Sequence, residues 1–63
     1  MVSSDEIIKE VKQTIGSEDL DMKTKSNRLI MLQAWAALDS AETDWAVAQM
    51  IEPFTMELDE KSL

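Results

Sequence analysis

Apolar residues open the chain at helical spacing. Ile7, Ile8, Val11 and Ile15 fall at i, i+1, i+4 and i+8, which draws one stripe along a helix of 3.6 residues per turn. Ser3 followed by Glu6 has the pattern of a capping box, in which the hydroxyl accepts from the backbone N–H of Glu6 and the carboxylate reaches back to Ser3. Val2 and Ile7 then occupy the hydrophobic-staple positions. Asp5 and Lys9 stand four apart in the favourable order. Gly16, the only glycine in the chain, lies just past the stripe, where a left-handed residue commonly closes a helix. The pattern predicts a first helix over residues 4–15.

Residues 17–21 read as a connection or as the first turn of the next helix, with Ser17 or Asp21 as its N-cap. The second helix is predicted over residues 20–38 and has two unlike halves. Its start is polar and basic: Lys23, Thr24, Lys25, Ser26, Asn27 and Arg28. From Leu29 to Leu38 it is apolar on nearly every side, interrupted only by Gln33. A helix apolar all round must be covered all round, and two neighbours from so short a chain fall short of that. The run therefore predicts a homo-oligomer, with Leu29, Ile30, Met31, Leu32, Trp35 and Leu38 at the interface. Trp35, inside this run, also reads as a core residue.

Asp39 followed by Glu42 repeats the cap pattern. A single long helix through this point is an alternative, but a turn near Asp39 lets Trp35 and Trp45 enter one core more easily, and the turn is favoured. The third helix is predicted over residues 40–51, with Ala41, Trp45, Ala48 and Ile51 inward. Pro53 disfavours a helical conformation at Glu52 and marks its end. Beyond it, Phe54, Met56 and Leu58 alternate, as in an extended segment lying on an apolar surface. Phe54, Leu58 and Lys61 also suit a short helix with Pro53 as its first residue. Trp45, Phe54, Met56 and Leu58 are candidates for exposed anchor residues. The fold class expected is all-α: three main helices with a docked C-terminal tail, in a homo-oligomer.

Composition narrows what such a fold can do. Sixty-three residues make one domain spanning 1–63, and a chain of this size buries only about 60% of its unfolded surface. Small domains usually add a disulfide, a metal or self-association. There is no Cys and no His, so thiolate and imidazole ligands are absent and self-association is the staple that remains. No metal and no cofactor is expected. The opening residues carry no basic or apolar leader pattern, and the ten-residue apolar run is half the ~20 residues a membrane span needs. A cytoplasmic protein with no membrane contact is expected.

Net charge is −7, and it is unevenly placed. Residues 1–28 hold five cations against six carboxylates; residues 29–63 hold Lys61 alone against seven. The acidic balance argues against a general polyanion binder.

Catalysis finds little support. His, Cys and Tyr are all absent, which removes the usual neutral-pH bases and most nucleophiles, and residues 39–44 lack the glycine and ligand series of a calcium loop. Three non-catalytic readings follow. The first is a small regulatory or inhibitory protein that binds a protein partner with a basic surface, presenting Glu42, Asp44, Glu57 and Asp59. Five Met and two Trp suit such an interface. Its analogy of size and charge is with bacterial and phage-encoded inhibitors, and no motif stands behind it. The second is a dimeric helix-turn-helix regulator contacting nucleic acid through Lys23, Lys25, Asn27 and Arg28. The third is an oligomer holding a small anionic ligand between subunits on the same basic residues.

Overall fold

A computed structural model describes the backbone of residues 3–62 and the side chains of residues 3–56. The chain forms three helices: α1 (Ser4–Gly16), α2 (Met22–Asp39) and α3 (Ala41–Ser62). Among the described residues there is no strand. Each helix touches both of the others, and the bundle measures 35 × 22 × 14 Å. No helix is long and apolar enough to cross a membrane among the described residues.

α1 begins where the sequence places it. Ser3 is extended and its hydroxyl accepts from the Glu6 N–H at 3.3 Å, satisfying one of the donors that a helix start leaves open. Val2, the other half of the expected staple, lies outside the described residues. Ile7 and Val11 are buried, and Ile8 and Ile15 pack against them. The end of α1 differs from expectation. Gly16 is the last residue of the helix, and no glycine has a positive φ. Ser17 turns the chain instead, in an extended conformation, while its N–H donates to the Thr14 carbonyl at 3.3 Å. The glycine is therefore not needed for a left-handed cap.

α2 starts at Met22, two residues later than the pattern suggested, because Asp21 is the cap that wins over Ser17: its carboxylate accepts from the Thr24 N–H at 2.8 Å. The break before α3 is present, and the long-helix alternative is not. Its cap is Ser40 rather than Asp39. Ser40 is extended, and its Oγ accepts from the Thr43 N–H at 3.0 Å while donating to Thr43 Oγ1 at 2.9 Å. Thr43 Oγ1 in turn donates to Asp39 at 2.7 Å. Thr43 is buried, so this three-residue relay gives a polar side chain at the α2–α3 corner the partners it needs.

The core is Ile7, Val11, Leu29, Leu32, Ala36 and Val47, with Ile8, Ile15, Met50, Ile51 and Phe54 packed around it. Thr14 is buried with them and donates its hydroxyl back to the Glu10 carbonyl at 2.7 Å. This packing corrects the inward face expected for the third helix. Thr43, Val47, Met50, Ile51 and Phe54 face the core, while Ala41 is exposed, Ala48 is half-buried and Trp45 is 66% exposed. Trp35, read as core, is 41% exposed.

Pro53 does not end α3; it lies inside it. Neither alternative for the tail holds, since residues 53–62 continue the same helix. A helical proline forfeits the N–H bond to the carbonyl four residues back and crowds it. Pro53 and Gln49 are both exposed, so water can serve that carbonyl. Phe54 reaches the core beside Val47, Met50 and Ile51 only if the helical phase is kept across the proline.

Candidate interaction surfaces

Three surfaces carry the residues singled out by sequence. The first is the basic start of α2. At 100° per residue, Lys23 and Asn27 share a face, Arg28 is about a third of a turn away, and Lys25 lies on the far side. Lys25 is also engaged: its Nζ donates to the Ile15 carbonyl at 3.2 Å, placing a cation at the negative end of the α1 dipole. The four residues do not converge on one cradle. The part of α2 that a recognition helix would turn outward continues into Ile30, Met31, Trp35 and Leu38, among which only the Trp35 indole N–H can hydrogen-bond a base edge.

The second surface is the outer side of α3. Glu42 and Asp44 are two apart and point away from each other. Glu42 is exposed, whereas Asp44 is half-buried and tied down, accepting from Gln33 Nε2 at both its carboxylate and, at 3.4 Å, its backbone carbonyl. The side chains of Glu57, Leu58 and Asp59 lie outside the described residues. What the helix aligns instead is Trp45, Gln49, Glu52 and Met56. They follow at intervals of four, three and four, with Glu42 one turn before Trp45. All five are exposed, Trp45 at 66% and Met56 at 58%. Glu52 was missed by sequence reasoning; counting back from Met56 at helical spacing across Pro53 would have found it.

The third surface is the outer face of α2. Of the six residues expected at an oligomer interface, Leu29 and Leu32 belong to the chain's own core. Ile30, Met31, Trp35 and Leu38 are exposed, Ile30 at 69% and Leu38 at 84%. Ala34 and Ala37 are exposed between them. The helix has two apolar faces, one turned in on Leu29, Leu32 and Ala36 and the other roughly 160° away. Beside it, between α2 and α3, runs a half-open groove of about 350 Å³ lined by Ser26, Leu29, Ile30, Gln33, Ile51, Phe54 and Thr55.

No family model matches this chain, and neither a curated protein nor a solved structure matches it. Among the described residues no group of carboxylates is arranged to hold a metal ion. One surface sets an indole and a thioether among carboxylates; another is apolar apart from the indole N–H of Trp35.

Proposed function

We propose that this chain is a small non-catalytic regulatory or inhibitory protein of the cytoplasm, working as a homo-oligomer and binding a protein partner with a basic surface. The observation that carries the partner reading is Trp45, exposed on the outside of α3 in line with Glu52 and Met56 and one turn from Glu42. An indole left in water forgoes burial of a large apolar surface, and tryptophan is enriched where interfaces concentrate their energy. Carboxylates around it would speed the approach of a basic surface and reject acidic ones. The basic start of α2 supports the nucleic-acid and anionic-ligand readings less, because Lys25 is engaged with α1 and the other cations diverge.

Affinity capture from the native host, with mass spectrometry of proteins and nucleotides, identifies the partner class. The same capture with Trp45→Ala and with Glu42→Gln/Glu52→Gln tests the surface. Both variants should lose the partner, and the wild-type complex should weaken as salt is raised. A partner retained by both variants, or a captured nucleic acid, would sink this reading.

A further inference from the structure

The outer face of α2 is apolar over about two turns and carries no ionisable residue between Arg28 and Asp39. We propose that a second copy of the chain covers it, with α2 packed antiparallel on its own symmetry mate about a two-fold axis at Ala34. Arg28 of each copy then lies beside Asp39 of the other. This inference rests on the self-association proposed above, to which it gives a face, a symmetry and a register; it uses no part of the partner reading on α3.

Charge selects the face. Two chains of net charge −7 repel, so they can meet closely only where neither brings a carboxylate against another. The stripe of Ile30, Met31, Ala34, Trp35, Ala37 and Leu38 satisfies that, and a basic partner has nothing in its centre to recognise. Its boundaries are one cation at the N-terminal end and one anion at the C-terminal end. A parallel pairing would set Arg28 on Arg28 and Asp39 on Asp39. An antiparallel pairing sets each on its opposite.

Pattern selects the register. In an isologous interface residue i meets j and j meets i. A two-fold axis at Ala34 sets Ile30 level with Leu38 of the other copy and Met31 level with Ala37, and brings Ala34 against itself. Two apolar branched side chains meet at each end, a large residue meets a small one inside them, and the smallest contact lies on the axis, where the helices must approach most closely. Arg28 lies six residues before the axis and Asp39 five after it, so across the dimer they differ by about 1.5 Å along the helix. Both lie on the Trp35 edge of the stripe, about 20° apart round α2. A two-fold axis of this kind apposes that edge to itself, so the two charges meet on one flank. The patch is short, and the dimer it makes is concentration-dependent.

Sedimentation equilibrium on the whole chain over a concentration series should show monomer and dimer and no larger species. Ile30→Glu and Leu38→Glu replace exposed residues, so far-UV dichroism should stay helical. Each change strikes the interface twice, and the dimer dissociation constant should rise roughly 100-fold or more. Arg28→Asp or Asp39→Arg alone should weaken the dimer on the order of two- to thirtyfold, two pairs being lost. An equimolar mixture of those two variants should dimerise again, because in the mixed dimer both flanking contacts pair opposite charges. Four results would overturn the proposal: a monodisperse monomer at high-micromolar concentration, a trimer or larger closed assembly, a dimer indifferent to both Ile30→Glu and Leu38→Glu, or a mixture that restores nothing. A monomer that loses a host protein on Leu38→Glu would assign the face to that protein instead.

Discussion

Asp21 caps α2 from a fully solvated position, and its carboxylate is held below the ordinary 3.8 by hydrogen bonding from Thr24, the side chain first and the backbone N–H second. A carboxyl lowered by folding stabilises the folded chain in full above its unfolded value, and the stabilisation is lost as pH falls through the folded value. Asp21→Asn keeps a good cap and removes the titration. The stability difference between wild type and this variant should therefore be flat at neutral pH and should shift in favour of the variant as the pH drops below about 3.8. Denaturant titrations of both proteins across the acid range check the sign. A second residue-scale prediction concerns Thr43, whose hydroxyl joins Ser40 to Asp39 at the α2–α3 corner. Thr43→Val keeps the shape and removes both bonds. Since Ser40 and Asp39 are exposed and can turn to water, the loss should be modest, about 1 kcal/mol, read as a lower urea midpoint at unchanged slope. Neither bond of that relay is written plainly in the sequence. Asp39, Ser40 and Thr43 are all competent cappers, and which one takes the cap depends on the angle at which α3 leaves the corner.

At the scale of the element, the continuity of α3 through Pro53 makes the clearest prediction. Helix interiors disfavour proline by about 3 kcal/mol relative to alanine, and the position is exposed. Pro53→Ala should raise stability by up to ~3 kcal/mol, seen as a higher thermal midpoint and as a newly protected amide at position 53. No gain would mean that Pro53 starts a separate helix, where its missing N–H costs nothing. Sequence reading stopped at this proline because local sterics argue for a stop, whereas Phe54 is held by core contacts that only the assembled bundle supplies. The same limit explains the mistaken phase of α3. In α1, Ile7 and Val11 leave one face to choose, and the start of the helix and that face were both legible. In α2 and α3 apolar residues lie on opposite sides, so periodicity offers two solutions. Choosing by size put Trp35 and Trp45 inside, and the bundle buries Ala36 and Val47 in their place. The cramped centre of a three-helix bundle takes the smaller side chains and leaves the indoles outside. That displacement carries the candidate sites: composition led to the expectation of an interface, while the surface each tryptophan occupies followed only from the packing.

At the scale of the whole molecule, the two surfaces should answer salt in opposite directions. The net charge of −7 opposes the approach of a second copy at long range, and the contact proposed between the two copies is apolar apart from its flanking pairs. Raising ionic strength from about 0.01 M to 0.15 M shortens the Debye length from ~30 to ~8 Å. This screens the repulsion of two whole chains more than it weakens contacts at the interface, so self-association should strengthen with added salt. Binding of a basic partner beside Trp45, Glu42 and Glu52 is attraction between unlike surfaces, and the same change should slow association and weaken the complex. Sedimentation of the chain alone and calorimetry with the captured partner, each at low and physiological salt, separate the two. Leu38→Glu should abolish the first response and leave the second; Trp45→Ala should do the reverse. A dimer that dissolves on adding salt would mean that ion pairs rather than the α2 stripe hold it. A partner whose affinity ignores salt would leave Trp45 as an apolar anchor and take Glu42 and Glu52 out of the recognition surface.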